Sequence, residues 1–265
     1  MWINSSRLWR RAGRVWVQGL LLFCLRFAQN RTGFDPSTGL STPNAPGIVL
    51  AACLIFCAAA EAVFCLRLPG EKTAFFNQFA PPEGETPVLA GGCLLLMAGG
   101  GLLAVPALTS RDIFGAAAGL LAMLSGAGFL LLAKKLRAGE AVTVAPVLPS
   151  LFFSVFFVLT VYLPAGSDPV LARYYIPVLA SAMAAYALSQ LAGFLKKEGR
   201  ARAFVFTADL AVPLCLTALA DGGGVGRALL FAGCAAVLSV FLILRRDTAL
   251  PEPDEDKSTP DESAS

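Results

Sequence analysis

The stretch Ile113–Ala133, IFGAAAGLLAMLSGAGFLLLA, decides the class of fold. It carries no charge, and it is bounded by Asp112 on one side and Lys134 on the other. At ~1.5 Å per residue such a run covers the ~30 Å hydrocarbon core of a bilayer as a helix. Inside lipid every backbone N–H and C=O must be paired within the protein, so only helices or a closed barrel can cross. The run is continuous rather than alternating with period two, which rules against a barrel. Similar runs lie on either side of it: Ile48–Leu68, Val88–Leu108, Ala145–Leu163, Val170–Leu195, Ala203–Ala220 and Ala228–Leu244. Of 265 residues, 56% are hydrophobic and 15% are charged, whereas roughly 25% charge is usual for a soluble domain. The expected fold is all-α, a polytopic transmembrane helical bundle.

An eighth segment, Val15–Phe27, is shorter and contains Gln18 and Arg26. It reads as a short spanning helix, an interfacial helix or the apolar part of a signal peptide, although Arg26 before Phe27–Ala28 suits a cleavage site poorly. Loop charge arbitrates. If Val15–Phe27 spans, fifteen Lys and Arg fall on the side of the N-terminus, in groups such as Arg7–Arg14, Lys134–Arg137 and Lys196–Arg202, and four fall opposite. Positive residues collect on the cytoplasmic side, so eight spans with both termini cytoplasmic are expected. The domains are then a basic N-terminus at 1–14, the bundle at 15–246 and a disordered acidic tail at 247–265. Pro46, Pro87 and Pro169 fit first-turn positions, and Asp112 and Asp168 are placed as helix caps. Comparing the two halves of the chain shows no shared motif, so no internal repeat is expected.

Ionisable groups within apolar runs are costly and become functional candidates. Glu61 and Asp209 fall at similar depth near the cytoplasmic side, with Gln190, Thr207 and Gln18 in the same layer. Together they suit an ion or proton site, provided their helices are neighbours. The plainer alternative is a carboxylate paired with a snorkelling Arg67 or Arg202. Pro213 frees the carbonyl of residue 209, which adds an acceptor to that corner. Cys53, Cys57, Glu61 and Cys65 share a helix stripe, but without histidine or a CxxC they read as small packing residues, and no metal or other cofactor is expected. Gly115 and Gly119 form a GxxxG for helix packing, inside the bundle or in a homodimer. Gly222–Arg227 resembles a phosphate loop but lacks its lysine and reads as a turn.

The segment RTGFDPSTGL, Arg31–Leu40, follows a short first helix. This combination is similar to uncharacterised multi-pass membrane proteins of Clostridia-type bacteria. The resemblance implies a bacterial cell membrane and no particular activity. Without histidine or a serine nucleophile in a suitable setting, an enzyme is not expected. The expected function is a small permease or the membrane subunit of one. The alternative is a non-catalytic accessory, assembly or sensory subunit with a protein partner. The lipid bilayer is the first partner, and nucleic acid is not one.

Overall fold

The computed structural model describes residues 5–35, 42, 44–68, 70, 72–82, 85–140, 142–166 and 174–245. The calls at Pro169, at Asp168 and in the tail at 247–265 lie outside them. The described chain folds into eight long helices: α1 (Ser5–Thr32), α2 (Ala45–Leu66), α4 (Thr86–Ser110), α5 (Ile113–Ala138), α6 (Leu148–Gly166), α7 (Tyr175–Leu195), α8 (Ala201–Ala218) and α9 (Val225–Leu244). A short helix, α3 (Phe75–Gln78), and two two-residue strands, β1 (Lys72–Thr73) and β2 (Gly199–Arg200), join them. Six helices are long and apolar enough to cross a membrane: α2, α4, α5, α7, α8 with its 3-10 extension to Asp221, and α9. The apolar part of α6, Leu148–Pro164, is shorter.

Helix ends follow the local chemistry. Asp112 accepts a hydrogen bond from Gly115 N at 3.0 Å and starts α5, and Gly139 ends it in a left-handed conformation at φ 67°. Pro46 and Pro87 lie in the first turns of α2 and α4, where a missing N–H costs nothing. The first helix is far longer than its apolar stretch. No proline interrupts Ser5–Thr32, and the polar residues flanking Val15–Phe27 continue the helix to ~42 Å at ~1.5 Å per residue.

Packing forms a closed circuit. α4 lies on α5, α5 on α6, α6 on α7, α7 on α8, α8 on α9, and α9 returns to α4. α1 lies across α8 and α9, and α2 sits outside against α1 and α8. α8 and α9 are the most buried of the membrane-length helices and α2 the least. Ile55 and Phe56 of α2 face outward, as side chains meeting lipid would.

Glycine sets the closest approach within the circuit. A Cβ on Gly119 would come within 2.5 Å of the Gly100 carbonyl oxygen, so α4 and α5 touch backbone to backbone. On its other face α4 meets α9 in the same way, Gly99 against Gly226 and Gly92 against Gly233. The pairing of a later residue of α4 with an earlier one of α9 shows that these helices are antiparallel.

The helix ends gather at two poles. Arg14, Glu61, Arg202 and Ser239 belong to one, and Asn30, Thr160, Tyr175, Asp221 and Arg227 to the other. At the first pole β1 pairs antiparallel with β2, Lys72 opposite Arg200. The following short helix delivers Phe79, 2% exposed, edge-on to Phe194, Phe204 and Phe241. This aromatic plug closes that pole. The sequence shows three phenylalanines in FFNQF, but a segment so short has no periodicity to reveal its burial.

Candidate functional site

At the second pole, Arg26, Gln29 and Asn30 share one face of α1, because residues three and four apart on a helix are neighbours. Gly19 lets α1 approach α8 closely, since a Cβ there would meet Leu216 and the backbone of Pro213. α8 then tightens into the 3-10 turn Leu219–Asp221, and Gly222, left-handed at φ 64°, reverses the chain. The turn carries Asp221 back to α1. Arg26 Nε donates to Asp221 Oδ1 at 2.6 Å, and Arg26 Nη1 donates to Gln29 Oε1 at 2.8 Å. Asn30 Nδ2 donates to the same Asp221 oxygen and to the Ala220 carbonyl, both at 3.0 Å. The Tyr175 ring lies 5.0 Å from the guanidinium carbon, in cation–π contact. Arg26 is fully buried and the Asp221 side chain is 9% exposed. Asp221 Oδ2 is buried and has no hydrogen-bond partner among the described residues.

Beside this cluster lies a cavity of about 560 Å³ reached from the same pole, with Asn30, Phe34, Tyr174, Asp221, Arg227 and Phe231 among its walls. Arg227 is held by a consequence of proline chemistry. Pro164 has no N–H, so the carbonyl of Thr160 one turn back loses its helical donor. Arg227 Nη2 donates to that carbonyl at 3.1 Å and ties α9 to α6. The first turn of α9 has no side-chain cap. The cavity therefore collects a carboxylate, a guanidinium, an amide and aromatic faces at the meeting point of five helix ends.

The polar residues singled out by sequence lie nearer the other pole. Glu61, 1% exposed, accepts from Arg14 Nη2 at 2.6 Å, and Arg14 is 47% exposed. Arg202 instead donates to the carbonyls of Leu66 and Leu68 and covers the end of α2. Asp209 is buried on α8, which packs on α2, so the helices of the two carboxylates are neighbours. Gln190 is half-buried on α7, whose main packing partners are α6 and α8. Thr207 Oγ1 bonds back to the Ala203 carbonyl at 2.8 Å. Gly119 is taken up by α4, and Gly115 sits against Ala107 and its own cap, Asp112.

Sequence reasoning missed Arg26, Asp221 and Arg227. Arg26 was visible as an ionisable group inside an apolar run, the same signal that marked Glu61. Asp221 stood before a glycine-rich turn and gave no sign of burial. The fold and this polar interior define an integral membrane protein of the helical-bundle class that crosses the bilayer several times. No protein-family model matches the chain, and no curated protein or solved structure matches it either.

Proposed function

We propose that the chain is a small-solute permease, or the membrane subunit of one, that spans a bacterial cell membrane eight times. The cavity beside Arg26 and Asp221 carries this reading. An apolar bundle gains nothing by keeping a void of about 560 Å³ next to a buried and incompletely bonded carboxylate. A cleft lined by both charges at one end of a helical bundle suits a polar solute, and the volume is in the ~300–1,000 Å³ range of small-molecule sites. Alternating direction through all eight long helices, with the Lys and Arg clusters at the plugged pole, supports cytoplasmic termini and a cavity facing outward. Glu61 and Asp209, on neighbouring helices near the plugged pole, are the groups proposed to couple flux to a proton or cation.

The test is uptake by purified protein in liposomes, using a panel of labelled amino acids, sugars, organic acids and cations. Flux above that of empty liposomes is expected, and it should lose its coupling in Glu61→Gln and Asp209→Asn at unchanged membrane abundance. Uptake at the empty-liposome level across the panel sinks the permease reading. Reporter fusions after Arg14 and after Asp35 are expected on opposite sides of the membrane. The same side for both would remove α1 from the spans.

A further inference from the structure

The plugged pole carries an open band of positive charge. β1 and β2 place Lys72 opposite Arg200, and both residues are exposed. The turn from α7 into β2 adds Lys196 and Lys197, also exposed, with Lys197 in a left-handed conformation at φ 59°. Glu198 is the acid of that turn. Among the described residues none of these four cations is in an ion pair, whereas Arg14 is taken by Glu61 and Arg202 by the end of α2. The ribbon is fixed in place by its backbone pairing and by Gly199, where a Cβ would meet the Phe194 ring. A surface already ordered in this way gives up little further freedom when an anionic chain lies on it.

The end of α9 delivers such a chain to this place. Ala80 N donates to the Leu244 carbonyl at 2.8 Å, and Phe79 and Arg245 form an antiparallel bridge. The bridge sets a direction. Running antiparallel to Phe79–Ala80, the chain leaves Arg245 toward α3 and β1 rather than away from them. Lys72 precedes Phe79 by seven residues, four of them between being helical, so the ribbon lies within ~20 Å of the bridge. Of residues 247–265, seven are Asp or Glu and one, Lys257, is basic. Asp254 follows Arg245 by nine residues, a length that reaches up to ~30 Å. The acidic block Asp254–Asp256 is thus within covalent reach of Lys72 and Arg200, at the roughly millimolar effective concentration that a short tether gives.

We propose that the acidic segment Asp247–Ser265 docks within its own chain on the basic ribbon of Lys72, Lys196, Lys197 and Arg200, with Asp254–Asp256 as its main contact, and so covers the plugged pole. The assignment stands whether or not the chain is a permease. Each exposed pair is weak by itself, so docking depends on several pairs and on the tether, and it yields to salt.

The experiment is zero-length cross-linking of the full chain with a water-soluble carbodiimide, in nanodiscs of phosphatidylcholine, followed by peptide mapping. The reagent joins a carboxylate to an amine only where the two touch. Links from Asp254, Glu255 or Asp256 to Lys72, Lys196 or Lys197 are expected about fivefold above links from the same acids to Lys134 and Lys135 near the end of α5, as a few weak pairs on a tether would give. The ribbon links should fall severalfold as salt rises from about 0.05 to about 0.5 M, because screening shortens the range of the attraction. Arg200→Glu, a change on an exposed side chain, should lower them to the level at Lys134. Arg200→Lys should keep them and add a link at its own amine. The proposal is overturned if the tail acids link equally well to Lys134 and Lys135, if Arg200→Glu leaves the links unchanged, or if the tail links to nothing in the folded protein. Links found only between isotope-labelled and unlabelled copies, mixed in detergent, would overturn it as well. Phosphatidylglycerol held at the ribbon, with no tail links, would give that surface to lipid instead.

Discussion

The two poles each hold an arginine–carboxylate pair at 2.6 Å, and their burial is reversed. At the cavity pole the guanidinium of Arg26 is sealed from solvent and the carboxylate of Asp221 stands at the cavity wall. At the plugged pole the carboxylate of Glu61 is sealed and Arg14 is half exposed. The reversal decides what each pair can tolerate. A carboxylate that loses its partner can take up a proton and become neutral, whereas an arginine has no such escape. Arg26, which cannot shed its charge, is therefore committed to Asp221. A group proposed to carry a proton sits at the plugged pole, and a fixed electrostatic frame sits beside the cavity.

The largest effect expected from this contrast is that of Asp221→Ala. Stranding Arg26 should cost about 3–5 kcal/mol in an unfolding titration in detergent, with much of it recovered when Arg26→Met is added. A single variant as stable as the native protein would break the contrast. Phe79→Ala, which opens the plug, should cost about 3 kcal/mol by the same titration and admit thiol reagents to cysteines introduced beneath it. Gly126→Leu pushes α4 from α5 midway along α5, where the glycine lies against the Cys93 carbonyl. It should cost about 2 kcal/mol without changing solute binding, which would show that the poles are set independently of the waist. Arg14→Ala is the smallest. The pair is half open to water, so about 1 kcal/mol or less is expected at neutral pH. A loss as large as that of Asp221→Ala would show the two pairs to be equivalent after all.

The class of fold was legible because uninterrupted apolar runs such as Ile113–Ala133 admit few structures in lipid. Helix ends were legible where a cap is chemically marked, as at Asp112, Pro46 and Pro87. The extent of α1 was not, because its apolar stretch stops well short of its backbone and its polar residues are satisfied by partners distant in sequence. β1, β2 and the Phe79 plug are too short for periodicity to register. At the site, burial of Glu61 and Asp209 could be expected from their place in apolar helices, and the adjacency of α2 and α8 could not. The pair Arg26–Asp221 spans 195 residues of sequence, and a single chain offers no covariation to connect its ends.

That separation also sets a timetable. Synthesis runs at ~5–20 residues per second, so Arg26 waits roughly 10–40 s before Asp221 is made. Trp16 waits longer still for Ser239, 223 residues on. α8 and α9, the most enclosed helices, come last, and α4 exposes the glycine face meant for α9 until then. The interior of this protein is thus its final instalment, and the early helices must be held in place by lipid or by cellular insertion machinery until the core arrives among them.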